Sequence, residues 1–177
     1  MAEIRISSRS NLKEINAEAF RGAAVQNIDF LMCPKLEKIG ESVFRDCIDL
    51  KKVNLPSSIT EIHSNTFALC KKIEIELESV SENDKYFTLD DGSLYQRGEE
   101  VGIILLTAGC NMKSIAENTF KIASYAFAGR ILINNGIRIP DSVIEIEDYA
   151  FYKSFLVWVR LPSNITTLNY YTFANSE

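Results

Sequence analysis

The sequence predicts a solenoid of about six short coils, interrupted once by an inserted segment. Three observations predict this fold class: an internal repeat with a period of 22 to 24 residues, alternation of apolar and polar residues within each repeat, and more isoleucine (21) than leucine (15). Isoleucine favours strands over long helices. A repeat of this length cannot bury its apolar side alone, so consecutive repeats are expected to stack.

The repeat is clearest at residues 56–67, which read PSSITEIHSNTF. The same spacing of proline, apolar residues and phenylalanine recurs at 140–151 and at 162–173. Three further copies lack the proline and keep the apolar spacing, at 12–20, 36–44 and 119–127. Each apolar position is expected to stack over its counterpart in the next coil, where full burial contributes roughly 1.5–3 kcal/mol per side chain.

One phenylalanine ends each copy, and we call these six residues the anchor phenylalanines. They are Phe20, Phe44, Phe67, Phe127, Phe151 and Phe173. The intervals between them are 24, 23, 60, 24 and 22 residues. The long interval corresponds to one period plus an insertion of about 37 residues. We therefore divide the chain into repeats at 1–77, an insert at 78–113 and further repeats at 114–177.

Each repeat is predicted to contain a half-buried strand followed by a turn. Residues 50–55, 137–139 and 157–161 alternate apolar and polar side chains, as such strands do. A proline follows and is expected to end the strand, because it cannot donate a ladder hydrogen bond. Cys47 and Cys70 both lie three residues after an anchor phenylalanine. They are predicted to be buried free thiols in one column, with a redox or metal pair as the alternative.

The insert is predicted to form a β-hairpin. Asp90-Asp91-Gly92 and Arg97-Gly98 are turn signals, and residues 93–95 and 101–106 read as two strands joined by a tight loop. Residues 74–100 contain nine acidic and two basic residues, a net charge of −7 against −5 for the whole chain. Their spacing does not fit a twelve-residue calcium loop. A solvated acidic face is predicted, with calcium binding as the alternative.

The composition argues against several function classes. The net charge of −5 disfavours a nucleic-acid partner, and the longest nearly apolar run, 101–110, is about half a membrane span. The sequence has one histidine, His63, and four cysteines without a C-x-x-C pair. It contains no phosphate-binding or nucleophile-elbow motif. We expect no enzymatic activity, no catalytic residue, no cofactor, no metal site and no membrane insertion.

Residues 50–70, LKKVNLPSSITEIHSNTFALC, resemble the BspA-like leucine-rich repeat, as do 137–151 and 157–173. The insert resembles the hairpin with D-G-x-L-Y and a later A-G that commonly interrupts arrays of this family. The resemblance implies a right-handed leucine-rich-repeat coil and an adhesion-type protein that binds host proteins, such as an extracellular matrix or cell-surface protein, or other cells. It implies a surface or secreted location. No signal peptide is visible in the sequence, which leaves the cytoplasm open.

We therefore expect a protein-binding module whose outward strand residues form the binding surface. The candidates are Lys52, Asn54, Lys72, Glu74, Glu76, Arg138, Trp158 and Arg160. Trp158 is predicted to point outward between inward Val157 and Val159, and Trp is favoured at interfaces. The alternative is a structural module that self-associates end to end, or a fragment of a longer array, because the last repeat lacks a distinct polar cap.

Overall fold

The computed structural model describes residues 4–78, 81, 84–99 and 102–176. That part of the chain contains thirteen short strands. In chain order they are β1 (Glu14–Ile15), β2 (Asn27–Asp29), β3 (Lys38–Ile39), β4 (Lys52–Leu55), β5 (Glu61–Ile62), β6 (Glu74–Leu77), β7 (Tyr86–Thr88), β8 (Leu94–Arg97), β9 (Ile103–Thr107), β10 (Thr119–Ile122), β11 (Gly136–Arg138), β12 (Glu145–Ile146) and β13 (Trp158–Arg160).

The strands of successive repeats pair in parallel. One sheet has the order β1-β3-β5 and a second has the order β2-β4-β6. The later repeats continue the pattern with β11-β13 and with β10-β12, which belong to a sheet ordered β12-β10-β9-β8-β7. The repeats that end at Phe44, Phe67 and Phe151 therefore each make one turn of a coil with two short strands. The predicted β-solenoid of about six coils is confirmed.

The repeat spacing explains which side chains are buried. Ile15 lies opposite Ile39, which lies opposite Ile62, and Ile122 lies opposite Ile146 in the later coils. All five isoleucines are buried. Because successive coils repeat the same spacing, each apolar residue meets an identical neighbour and the column excludes water.

The anchor phenylalanines form two stacks of nearly parallel rings. Ring centroids are 5.4 Å apart for Phe20–Phe44 and 5.5 Å for Phe44–Phe67. The second stack joins Phe127 to Phe151 at 4.6 Å and Phe151 to Phe173 at 5.0 Å. The gap between the stacks coincides with the 60-residue interval, so the insert divides the aromatic column.

The insert lies between the earlier and the later coils and is not an excursion on the surface. The predicted hairpin is present: β8 and β9 are antiparallel, although the loop position Val101 lies outside the described residues. β9 then pairs in parallel with β10 of the next repeat. Leu94 packs into the core of the earlier coils, whereas the adjacent Tyr95 packs into the core of the later coils. The hairpin is therefore buried on both faces.

The structure adds one strand that the sequence did not predict. β7 pairs antiparallel with β8 and makes the insert a three-stranded meander. The hydroxyl of Tyr86 on β7 accepts a hydrogen bond of 3.1 Å from the Ile62 backbone N–H. β7 thus covers the edge of the β1-β3-β5 sheet. The boundaries 78–113 for the insert stay a prediction.

Two glycines allow close packing around the Asp90-Asp91-Gly92 turn, one against β6 and one within the insert. Gly92 has φ +77°, and a Cβ there would lie 2.8 Å from the Glu74 Cα. Gly109 lies against the Asp91 carbonyl with no room for a side chain. The Gly109 N–H donates to Ser93 Oγ at 2.9 Å. The Asp-Asp-Gly turn therefore packs against β6 on one side and against the segment that follows β9 on the other.

The residues three positions after the anchor phenylalanines form a column, and several of them donate hydrogen bonds to the preceding coil. Cys47 Sγ donates to the Phe20 carbonyl and Cys70 Sγ donates to the Phe44 carbonyl, each at 3.0 Å. All four cysteines are free thiols. Ser176 Oγ continues the pattern with the carbonyl of the anchor before it. At Cys47, Cys70 and Ser176 a small donor in this column therefore links its coil to the one before.

Arg130 occupies the same column at the junction created by the insert. Its side chain is fully buried and donates from Nη2 to the Phe67 carbonyl at 3.1 Å and from Nε to the Ala108 carbonyl at 2.9 Å. Nη1 donates to the Cys70 carbonyl. Burial lowers the pKa of Arg130 to about 10, so the guanidinium stays charged at neutral pH. It joins the coils on the two sides of the insert.

Candidate binding surface

The outward side chains of β2, β4, β6, β11 and β13 form one surface, which we call the strand face. In each strand a buried residue separates two outward positions; examples are Ile28, Val53 and Ile75. The Asp90-Asp91-Gly92 turn adjoins β6, because the Ile75 N–H donates to the Gly92 carbonyl, and β11 pairs with β13 in a separate sheet. The strand face is therefore divided into a first half on β2-β4-β6 and a second half on β11-β13.

The first half is predominantly acidic. Asp29, Asn54 and Glu76 lie side by side at one outward position. Lys52 is the basic residue of these strands, and its Nζ lies 2.7 Å from Glu76 Oε1. Glu74 accepts a hydrogen bond of 2.5 Å from Asn111 Nδ2. Lys52 and Glu76 are thus paired, whereas Asp29 and Glu74 accept hydrogen bonds from neutral groups and leave this half with a net negative charge.

The second half is basic and aromatic. Arg138 lies in register with Arg160, and Gly136 lies in register with Trp158. The indole of Trp158 rests on Gly136, where a Cβ would collide with the ring. Trp158 is still 51% exposed. One side of the indole is therefore held by the neighbouring strand, and the other remains open to solvent.

The structure brings seven of the eight predicted surface residues onto these strands. Lys72 is the exception, because it lies in the turn before β6 and is exposed there. Trp158 points outward as predicted, but the prediction that Val157 points inward is wrong: Val157 is 77% exposed. It precedes the strand, and its N–H donates to the Asn135 carbonyl. The inward residue of this strand is the half-buried Val159.

The other sequence features supply no assembled chemical site. His63 is exposed, and its Nδ1 lies 2.8 Å from Asn65 Oδ1. Within the described residues, no three His, Cys, Asp or Glu side chains converge as metal ligands would. In the same part of the chain, no helix is long and apolar enough to cross a bilayer.

The sequence reasoning missed an aromatic column on the later coils. Tyr125, Tyr149 and Tyr171 stack in parallel, with ring centroids 4.9 and 5.0 Å apart. Each lies two residues before an anchor phenylalanine, a position that Ser42 and Asn65 occupy in earlier coils. The recurring tyrosine at this position was a signal that could have revealed the column.

A shallow groove lies on the sheet that the insert extends. It has a volume of about 640 Å³. Ile104, Phe120 and Ile144 provide its apolar floor, and Glu99 and Glu145 lie at its rim. Lys121 Nζ lies 3.4 Å from Glu145 Oε2 and also forms an ion pair with Glu147. The groove therefore presents apolar surface whose one cation among the described lining residues, Lys121, is paired with acidic residues.

Two short parallel strands per coil, isoleucine columns and stacked anchor phenylalanines define a leucine-rich-repeat solenoid. The profile of the BspA type leucine rich repeat region matches residues 2–95 and 106–177 in six copies. The chain belongs to the BspA type leucine-rich-repeat family. A comparison with curated proteins found no match.

Solved structures support the fold at low sequence identity. A leucine-rich cell surface protein from Faecalibacterium prausnitzii is similar with a TM-score of 0.68 and 21% identity, covering 92% of this chain and 48% of that protein. A leucine-rich repeat protein from Eubacterium ventriosum gives 0.74 and 21%, with 92% and 43% covered. The pneumococcal vaccine antigen PcpA gives 0.64 and 21%, with 88% and 44% covered. The chain spans less than half the length of each.

Proposed function

We propose that the chain is a non-enzymatic module that binds another protein through the strand face. The observation that carries the proposal is Trp158, a large aromatic side chain held on Gly136 and half exposed. An exposed indole that is already ordered loses little conformational entropy on binding. Tryptophan and arginine are also the residues most enriched among those that dominate interface energetics.

The remaining strand-face residues support the proposal through their arrangement. Parallel coils place one outward residue per strand in each row, so within each half a partner meets a row of side chains rather than a single loop. The similar proteins from F. prausnitzii and pneumococcus are described as a cell surface protein and a vaccine antigen. By analogy with them we propose a host extracellular matrix or cell-surface protein as the partner and the cell surface as the location.

The binding proposal is tested by capture of partners from matrix extracts and cell-surface preparations, followed by mass spectrometry. Wild-type chain and Trp158→Ala serve as baits. The control is Ile48→Ala, which removes an exposed apolar side chain outside the strand face. Partners retained by the wild type and the control but lost with Trp158→Ala support the proposal. Equal capture by all three baits would contradict it.

The location is tested separately by antibody labelling of intact, unpermeabilised cells. Labelling of intact cells supports a surface role, whereas labelling only after permeabilisation contradicts it.

Self-association is the second candidate function, and one observation favours it. Leu168, Tyr170 and Tyr171 are exposed together on the last described coil, and contiguous exposed apolar surface marks interaction sites. Light scattering should show concentration-dependent oligomers that Leu168→Asp abolishes. A monomer that persists at high concentration would exclude this assembly.

A further inference from the structure

We propose that Arg138, Arg160 and Trp158 form a subsite for an extended acidic segment of a partner protein, in which a carboxylate and an apolar side chain are two residues apart. The inference rests on the proposed protein-binding function and specifies the chemistry of the partner. The first half of the strand face contributes by excluding the same ligand.

The two arginines are placed to share one carboxylate. They face each other in register on neighbouring parallel strands, which lie about 4.8 Å apart. Arg138 Nη2 is 3.8 Å from Asp141 Oδ2, a long contact between two well-exposed groups. Among the described residues, Arg160 has no acidic partner within 4.0 Å. Like charges side by side repel, so a bound carboxylate would relieve that repulsion and accept hydrogen bonds from both guanidiniums.

Trp158 sets the second requirement of the subsite. It lies on the same strand as Arg160 and two residues before it, so both side chains are on one face. Alternate residues of a strand are about 6.6 Å apart. An extended ligand has the same repeat, so its carboxylate and its apolar side chain match the arginine pair and the indole when they are two residues apart.

The sign of the charge distinguishes the two halves of the strand face. The outward position that holds Arg138 and Arg160 holds Asp29, Asn54 and Glu76 in the first half. A carboxylate there would meet like charge and would be repelled. The acidic segment is therefore confined to β11 and β13.

The test uses a synthetic peptide with one Glu-Ser-Leu unit flanked by glycine and serine. Binding is followed by the intrinsic fluorescence of Trp158, the only tryptophan in the chain. A peptide with Gln in place of Glu tests the charge, and a peptide with adjacent Glu and Leu tests the spacing. Both control peptides should bind about tenfold or more weakly, because one charged or apolar contact is lost.

The protein variants are read by fluorescence anisotropy of a labelled peptide, since some of them change the indole. Arg138→Met with Arg160→Met should weaken binding about tenfold, and Trp158→Ala about thirtyfold. Gly136→Ala keeps the tryptophan but displaces the ring from its platform, so it should also weaken binding. Arg21→Met, which removes an arginine paired with Glu18 away from the strand face, should leave binding unchanged. Thermal melting confirms that each variant is folded.

Three outcomes would overturn the inference: the Gln peptide binds as well as the Glu peptide, the arginine variants bind normally, or a sulfated polysaccharide binds and the peptide does not. The last outcome would assign the arginine pair to a glycan. If a captured partner requires Trp158 but neither arginine, the proposed function stands and the acidic subsite is wrong. If no partner or peptide depends on the strand face, both are wrong.

Discussion

Replacing Arg130 with methionine tests whether one buried guanidinium joins the two sides of the insert. Methionine fills similar space without a charge or a donor. The change therefore removes the hydrogen bonds from Arg130 to the carbonyls of Phe67, Cys70 and Ala108. It also removes the desolvation cost of burying a cation, which by itself would stabilise the variant. The sign of the result depends on which effect is larger.

We expect the change in stability to be a loss, because the three carbonyls that accept from Arg130 remain buried after the substitution. The Phe67 carbonyl still accepts from the Cys70 N–H at 3.3 Å. Among the described residues, the carbonyls of Cys70 and Ala108 accept only from Arg130. Two orphaned carbonyls at roughly 1–3 kcal/mol each give a loss of about 4 kcal/mol. At about 2–4 °C per kcal/mol for a chain of this size, the melting temperature should fall by about 8–16 °C.

Two probes of unfolding make the assay specific for the junction. Trp158 is the only tryptophan, so its fluorescence reports the later coils, whereas far-UV circular dichroism reports all coils. The two midpoints should coincide in the wild type and separate in Arg130→Met, with the later coils unfolding first. Arg138→Met is the matched control, since this arginine is exposed on β11, and it should change stability by less than about 0.5 kcal/mol. If Arg130→Met is within about 1 kcal/mol of the wild type, the guanidinium does not hold the junction.

Three further predictions concern the core, the thiols and one partly buried carboxylate. Ile62→Asp, which places an unpaired charge in a buried column, should cost at least about 4 kcal/mol, whereas exposed Thr60→Asp should cost less than about 0.5 kcal/mol; equal denaturant midpoints would contradict the proposed register. A thiol reagent should label native Cys110 alone, and slowly, because Cys33, Cys47 and Cys70 are buried and burial raises the pKa of Cys110; fast labelling of all four before unfolding would contradict the packing. Burial alone would raise the pKa of Glu147, but hydrogen bonds from Lys121 and Ser124 outweigh it and hold that pKa below its usual 4.5. The stability from this carboxylate is therefore present above pH 4.5 and lost as the pH falls through the lowered pKa, so Glu147→Gln should lower the melting temperature at neutral pH and converge with wild type in acid, while a constant difference would exclude an ionic origin.

The coils were predictable from the sequence because the buried positions recur at a regular spacing along the chain. Ile15, Ile39 and Ile62 recur at one spacing, and a residue with an identical neighbour above and below needs no long-range information to be placed. The β8–β9 hairpin was predictable from the Arg97-Gly98 turn signal between two strand-like runs. The Asp-Asp-Gly turn before β8 was predictable as well, because it requires the positive φ that Gly92 adopts. β7 was missed because Tyr86–Thr88 is too short to show a period and is stabilised by contacts outside itself.

The features that were not predicted depend on contacts across the insert or between strands. An arginine is normally expected on the surface, so its residue type did not indicate that Arg130 is buried. Its position three residues after an anchor phenylalanine, which it shares with Cys47 and Cys70, is what makes it a donor to the preceding coil. The platform of Gly136 under Trp158 depends on the register of β11 with β13, which sequence spacing suggests but does not prove. Val157 was misplaced because the alternating pattern extends one residue beyond the strand.

The insert explains both the junction that Arg130 holds and the difference in charge between the two halves of the strand face. It separates the aromatic stacks, so a long cationic side chain replaces the small donors of the other coils at that position. It also places the turn at Gly92 beside β6, and β11 pairs with β13 in a separate sheet, so the acidic and basic outward residues do not belong to one continuous sheet. An acidic ligand that docks on Arg138 and Arg160 is consequently attracted by the second half and repelled by the first. That asymmetry would orient the ligand away from β6 without any further contact.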